Sequence, residues 1–213
     1  MVQMAINRAL ATFKKNWIFL ILFVTGAIIF STLVEFPVVL LGRFDDTAFL
    51  GLIFFPAVFI ITSFVSFMQF DIFLAAARGE ELNLATSFAR VKKVYPTMLL
   101  ATIIIGVAVI IGGFFLIIPG IYLFYRLRFS PYFILEYKCA ATESLRLSWE
   151  ATAGHLLDIF LLDAFSLVIA LLGVLALYVG LIPASVYLLL VQAHFYRLLI
   201  EEREAFVLAG EGQ

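Results

Sequence analysis

The sequence predicts an all-α, polytopic membrane protein, and three observations support that prediction. Of its 213 residues, 64% are apolar and only 14% are charged, against roughly 25% charged residues in an ordinary soluble domain. The mean hydropathy is +1.12. A soluble domain of this size leaves much of its surface in water and has no place for so much apolar area. Several apolar runs also approach the ~20 residues that a helix needs to cross a bilayer.

The same numbers exclude several classes of protein. The net charge is −1, so there is no basic surface to attract nucleic acid. The single cysteine, Cys139, rules out an intrachain disulfide. The sequence also lacks a glycine-rich phosphate loop, a G-x-S-x-G turn and an H-E-x-x-H pair. We therefore expect a non-enzymatic protein with no cofactor, no catalytic residues and no metal.

Six membrane spans are predicted, and all should be helices because a lone strand cannot satisfy its backbone groups in lipid. The fourth is short and is interrupted by Arg126, Arg128 and Pro131. Lys14 and Lys15 precede the first, which is too long for a cleavable signal and is expected to remain as a span. The predicted spans are 17–34, 49–77, 96–117, 121–135, 156–178 and 182–200.

The basic residues predict the orientation of these spans. Loops that carry most of the Lys and Arg residues stay in the cytoplasm. With both termini inside, the outer loops hold only Arg43. The cytoplasmic side then holds Arg8, Lys14, Lys15, Arg78, Arg90, Lys92, Lys93, Lys138, Arg146 and Arg203.

Three segments share one apolar spacing of i, i+4, i+7 and i+11, which places a stripe on one helix face. Each stripe leads into a span that is followed by a proline. This pattern predicts a single membrane domain, 1–213, built from three parallel repeat units, 5–77, 83–136 and 141–203. Each unit would begin with an amphipathic helix at the cytoplasmic interface. The alternative is that any amphipathic lead-in to a span has this pattern. The stripes are Ile6, Leu10, Phe13 and Trp17; Leu84, Phe88, Val91 and Tyr95; and Leu145, Trp149, Thr152 and Leu156.

Ionisable side chains inside the predicted spans each need a partner or water, because a charge in the bilayer costs several kcal/mol. Depth along the spans favours a partnership of Asp163 with Arg128 or His194. One interpretation is that these charges only lock helices together. The other is that Arg126 and Arg128 bind an anionic group, such as a lipid phosphate, through the guanidinium fork. The predicted intramembrane charge partners are Asp71, Asp158, Asp163, His194 and Arg197.

Two motifs suggest a family. The stretch P-G-I-Y at 119–122 is followed by R-L-R-F at 126–129, and E-S-L-R-L-S-W stands at 143–149. The pattern resembles the bacterial integral membrane family that includes the membrane domain attached to some glycerophosphodiester phosphodiesterases, and the resemblance is best over residues 80–200. The resemblance implies six helices in a bacterial cytoplasmic (inner) membrane and gives no mechanism. Because this chain lacks a catalytic barrel, phosphodiesterase activity does not carry over.

The leading hypothesis is a scaffold or accessory subunit of a membrane complex that holds lipid or a partner protein at the inner leaflet. Its expected partners are anionic lipids and other membrane subunits or a second copy, with no nucleic acid. The alternative is a transporter or flippase-like protein for a lipid or small anion, with a water-filled cavity lined by Arg126, Arg128, Asp163 and His194. A third hypothesis is an enzyme acting on lipid headgroups, for instance through His155 and Asp158.

Overall fold

The computed structural model describes residues 1–41, 48–115, 117–175 and 180–211, and within these ranges it is all-helical. The predicted all-α class is confirmed. Arg43 and the end of the fifth predicted span, at residue 178, lie outside the described residues. The helices are α1 (Val2–Leu41), α2 (Ala48–Arg78), α3 (Leu84–Phe115), α4 (Ile117–Leu127), α5 (Ser130–Tyr137), α6 (Ala141–Ala151), α7 (Leu156–Leu175) and α8 (Leu181–Glu211).

Among the residues described, five helices are long and apolar enough to cross a membrane, so the chain is a multi-pass membrane protein. In the most apolar stretch of α3, only 11% of the residues are buried by the rest of the molecule. Such a helix needs lipid around it, since water would contact its apolar side chains. The candidate spans are Val2–Pro37, Phe54–Arg78, Leu84–Phe114, Leu156–Leu175 and Leu181–Ala205. The predicted fourth span is not confirmed as a helix of its own.

That segment, 121–135, is divided between α4 and α5. Pro131 lies in the first turn of α5, and proline has no N–H with which to continue a helix from the preceding turn. Arg128 and Phe129 connect the two helices. The Phe129 carbonyl accepts the N–H groups of Tyr132 and Phe133, at 3.0 and 3.3 Å, which starts the hydrogen bonding of α5. The path that follows α3 is therefore a broken helix.

Glycines allow α3 and α4 to pack backbone to backbone. A Cβ atom built on Gly120 would lie 2.8 Å from the nitrogen of Gly113, closer than any side chain tolerates. Gly112 faces the same turn of α4, where a Cβ would lie 3.1 Å from the Cα of Gly120. Small residues at such a contact let two helices approach closely within a membrane.

Of the three predicted amphipathic helices, only the third is a separate element, α6. It ends before Gly154, whose φ of 85° lies in the left-handed region that glycine adopts without strain. The first two are the initial turns of α1 and α3, because neither contains a residue that ends a helix. Pro96 lies inside α3 without interrupting it, as prolines in membrane helices often do.

The packed core lies at one end of the bundle. We call this the charged end, since Arg78, Glu136 and Arg203 lie there, and we call the opposite end the apolar end. Tyr132 of α5 and Tyr196 of α8 are fully buried and stack with ring centroids 4.9 Å apart. Towards the apolar end the helices expose large side chains, such as Ile110 at 72% and Leu175 at 78%. Tight packing is therefore concentrated beneath the charged residues.

Candidate functional site

Arg126, in the last turn of α4, is held between two aromatic rings. Its guanidinium carbon lies 5.2 Å from the ring centroid of Tyr122 and 4.9 Å from that of Trp149. Nε and Nη2 donate to the Tyr122 hydroxyl, at 3.0 and 2.9 Å, and Nη1 donates to the Trp149 carbonyl, at 3.1 Å. Tyr122 stands one turn earlier on α4, and Trp149 belongs to α6. The two helices together fix the position of this guanidinium.

The end of α4 is tied to α6 through its backbone as well. The carbonyl of Arg126 is among the last of the helix, where no further turn supplies an N–H. The hydroxyl of Ser148 donates to that carbonyl at 2.7 Å, and Ser148 is fully buried. A serine on α6 therefore satisfies the group that the break in the helix leaves open.

Arg126 differs from the other arginines that the structure describes because no carboxylate pairs with it. Its three hydrogen bonds leave one N–H on each terminal nitrogen without a protein acceptor in the described ranges. An uncompensated cation beside apolar surroundings favours an external anion. The paired arginines are Arg8 with Glu201 (2.9 Å), Arg78 with Glu136 (2.8 Å), Arg90 with Glu80 (2.9 Å), Arg128 with Asp163 (2.7 Å), Arg146 with Glu150 (3.5 Å), Arg197 with Glu201 (3.7 Å) and Arg203 with Glu150 (2.7 Å).

Arg128, two residues further on, is neutralised by the protein. Its Nη1 donates to both carboxylate oxygens of Asp163, at 2.8 and 2.7 Å. The Arg128 side chain is only 10% exposed, and its guanidinium also lies 5.6 Å from the rings of Phe124 and Phe129. The structure thus brings together one of the two pairs that the sequence favoured for Asp163. It also separates the roles of the two predicted anion-binding arginines, since only Arg126 keeps a free charge.

The remaining predicted charge partners make other contacts. His194 bonds the hydroxyl of Thr12 on α1, with 2.9 Å between Nε2 and Oγ1, and so does not pair with Asp163. Asp71 is buried and accepts a 2.5 Å hydrogen bond from Ser87. Three further contacts complete the set: Asp71 with Arg90 (3.3 Å), Asp158 with His155 (3.5 Å), and the Arg197 guanidinium with the Ala77 carbonyl (2.7 Å).

A network of charges at the charged end was not predicted. Arg78 pairs with Glu136 of α5 at 2.8 Å and with Glu80 at 3.3 Å, and Glu80 also pairs with Arg90 of α3 at 2.9 Å. Burial would raise the pKa of Glu80, but the hydrogen bond from Arg90 and the charges of both arginines outweigh it and hold that pKa below its ordinary value. Each of these residues looks like an ordinary surface charge in the sequence. The packing of α3 and α5 against the end of α2 brings Arg90 next to Glu80 and Glu136 next to Arg78.

Of the four residues expected around a transport cavity, Arg128 lines one without the other three. Arg128 lines a cavity between α2 and α4, whereas Arg126, Asp163 and His194 are absent from its wall. His155 lies 3.5 Å from Asp158 and 3.6 Å from Glu202. Among the described residues, no group of three His, Cys, Asp or Glu side chains is arranged to hold a metal ion.

Comparison of the chain with protein-family descriptions, with curated proteins and with solved structures finds no match. The resemblance noted from the motifs at 119–129 and 143–149 therefore stays an expectation.

Proposed function

We propose that this protein is a non-enzymatic module of a bacterial inner membrane, a scaffold or accessory subunit that holds anionic lipid at the inner leaflet through Arg126. The observation that carries this proposal is the free charge of Arg126. It is the one arginine without a carboxylate partner in the ranges described, yet its guanidinium is fixed by Tyr122 and Trp149.

A phosphodiester fits the two free N–H groups of Arg126. They stand on the two terminal nitrogens, which is the fork that guanidinium uses to bind phosphate oxygens. The fork is already oriented by three hydrogen bonds, so binding costs little loss of side-chain freedom. Tyr122 and Trp149 are also of the residue types that concentrate where headgroups meet the apolar core. The site therefore suits a lipid headgroup better than a soluble anion.

The lysines support placing the charged end at an anionic leaflet. In the described ranges no lysine pairs with a carboxylate. Free lysines near an anionic surface contribute about 1 kcal/mol each to its attraction. The membrane-facing cations of this proposal are Lys14, Lys15, Lys92, Lys93 and Lys138.

We further propose six crossings, with α4 and α5 together forming the fourth. Ile134 of α5 packs in one cluster with Val91, near the start of α3. This contact supports a path that returns to the end of the bundle where α3 begins. Six crossings would put both termini on one side, and we propose the cytoplasmic side because most of the Lys and Arg residues lie there.

Native mass spectrometry in mixed micelles tests the lipid site. The protein is titrated with phosphatidylglycerol and, separately, with phosphatidylcholine, in wild-type form and as Arg126→Gln. Loss of a charge-assisted hydrogen bond costs ~1.5–3 kcal/mol, so we expect roughly ten- to hundredfold weaker phosphatidylglycerol binding by Arg126→Gln. Phosphatidylcholine should bind weakly to both forms.

Arg146→Gln is the matched control. This substitution also removes one positive charge, but from a side chain on α6 that is 67% exposed. The Arg146→Gln protein should bind phosphatidylglycerol as the wild type does. Equal affinity of Arg126→Gln and wild type for phosphatidylglycerol would overturn the proposed site. An equal loss in both variants would also do so, because it would show that only total charge matters.

A further inference from the structure

A cavity of about 510 Å³ lies where the helix breaks between α4 and α5. Its wall is formed by α2, α3, α4, α8, Arg128 and the first turn of α5. This volume falls within the range of ~300–1,000 Å³ that is usual for small-molecule sites. We call it the α2–α4 cavity, and it is separate from the site where the Tyr122 and Trp149 rings hold Arg126.

The α2–α4 cavity opens sideways, towards the lipid. Phe59 of α2 and Phe124 of α4 both line it and are 39% and 46% exposed. Both residues belong to the apolar surface of the molecule. Ser66 lines it too and is exposed. A ligand would therefore reach the cavity from within the bilayer between α2 and α4.

The wall of the cavity offers hydrogen bonds but no net charge. Arg128 is the ionisable residue in its described lining, and Asp163 compensates that charge through two bonds. An ionised headgroup would lose its hydration here without gaining an opposite charge, which is strongly unfavourable. The cavity therefore selects an uncharged ligand.

Unused donors point to a carbonyl-bearing ligand. Both bonds to Asp163 come from Nη1 of Arg128, so Nε and Nη2 carry three N–H groups with no protein acceptor in the part of the chain described. Arg128 is nine-tenths buried, with 10% of its side chain exposed. Gln192 adds an amide that makes no hydrogen bond to described residues. Ester carbonyls are neutral acceptors that suit these donors.

Acceptors are present on α2 and α3, which also line the cavity. The hydroxyls of Thr62, Ser66 and Thr102 donate to carbonyls of their own helices, at 2.9, 3.0 and 2.9 Å. Their protons are thereby used, and the oxygens keep lone pairs for an incoming donor. A ligand with one free hydroxyl in addition to its carbonyls can use both the donors of Arg128 and Gln192 and these acceptors.

We propose that the α2–α4 cavity is a lateral binding site for an uncharged glyceride, a lipid that carries ester carbonyls and a free hydroxyl, as diacylglycerol does. The glycerol ester region lies against Arg128 and Gln192, and the acyl tails leave between α2 and α4 into the bilayer. This site does not depend on the Arg126 proposal, because the two sites have different residues and opposite preferences for charge.

Photocrosslinking in phosphatidylcholine nanodiscs tests the assignment. The probes are a diacylglycerol and a phosphatidic acid that carry the same photoreactive group on one acyl chain, and labelled residues are mapped by mass spectrometry. We expect diacylglycerol to label α2 and α4 around the cavity at least tenfold more than phosphatidic acid does. Unlabelled diacylglycerol should compete with this labelling.

The variants separate the cavity from general lipid contact. Ser66→Phe fills the opening and Gln192→Leu removes an amide, and both should lower labelling at the cavity at least fivefold. Thr32→Phe makes a similar change at an exposed hydroxyl on α1 and should leave labelling unchanged. Arg126→Gln should leave it unchanged as well, which keeps this test distinct from that of the proposed function.

Three outcomes would overturn the proposal. One is diacylglycerol labelling spread evenly over all lipid-facing helices. Another is stronger labelling by phosphatidic acid. The third is full labelling of Ser66→Phe and Gln192→Leu when both variants elute as folded protein on size exclusion.

Discussion

The pair formed by Arg128 and Asp163 should have a large coupling energy, which a double-mutant cycle measures. Asp163→Asn leaves a guanidinium that is nine-tenths buried without its counter-charge. Breaking a buried ion pair from one side costs ~3–5 kcal/mol, so we expect about 3 kcal/mol for this change. Arg128→Gln should cost about 2 kcal/mol, since loss of a hydrogen bond to a charged group costs ~1.5–3 kcal/mol and Asp163 is 29% exposed. The double variant leaves no unpaired charge, so its loss of stability should be smaller than the sum of the losses of the two single variants.

The assay is thermal unfolding in mild detergent, in which size exclusion measures the folded protein that remains after heating. For a protein of this length, ~1 kcal/mol shifts the midpoint by roughly 2–4 °C, so Asp163→Asn should lower it by about 6–12 °C. The expected coupling energy is ~1–3 kcal/mol. The exposed pair Arg146 and Glu150, 3.5 Å apart on α6, is the matched control and should couple by less than about 0.5 kcal/mol. Additive losses for the Arg128 and Asp163 changes would refute the view that their bonds neutralise Arg128.

Three further predictions concern packing and titration. Gly120→Ala should destabilise the protein by ~1–3 kcal/mol through overpacking. Gly106→Ala should not, because its Cβ would meet nothing within 4 Å. Equal thermal midpoints for the two variants would contradict the close α3–α4 contact. The pKa of Glu80 is held below its ordinary value of 4.5, so the stability that Glu80 gives the fold should be complete above pH 4.5 and lost as the pH falls below it. Glu80→Gln should flatten the dependence of the thermal midpoint on pH in this acid range, and an unchanged curve would refute this contribution. Burial, with the nearby negative charge of Glu143, raises the pKa of the Cys139 thiol. The rate of its alkylation should therefore keep rising with pH at values where a free thiol already reacts at full rate. A rate profile that matches a free thiol would contradict this environment.

The sequence predicted the helical class well because lipid imposes a simple rule on composition. Apolar runs of about 20 residues must be helices, and five of the six predicted runs, where the structure describes them, fall in helices long enough to cross. Depth along the spans also favoured Arg128 or His194 as the partner of Asp163, and the structure pairs Asp163 with Arg128. That inference needed only the rise per residue of two neighbouring helices.

What the sequence could not supply was the packing between elements. Pro131 signals a break in the fourth span, but whether a proline ends a helix depends on its surroundings, since Pro96 does not end α3. The free charge of Arg126 depends on which acids lie nearby, and a single sequence does not show that Asp163 is taken by Arg128. Glu80 and Glu136 were missed for the same reason. Glu136 meets Arg78 because α5 packs against α2, and Glu80 meets Arg90 because α3 packs against α2.

Accessibility of two positions on α1 tests the central claim most directly. Lys15 and Glu35 are 20 residues apart on one helix, or about 30 Å, the thickness of a bilayer core. Lys15→Cys and Glu35→Cys are each made with Cys139→Ala and treated with a membrane-impermeant maleimide in intact cells. We predict labelling of Glu35→Cys in intact cells and of Lys15→Cys only after the membrane is opened. Labelling of Lys15→Cys in intact cells, or of both positions from one side, would contradict a bilayer-crossing α1 with its charged end in the cytoplasm.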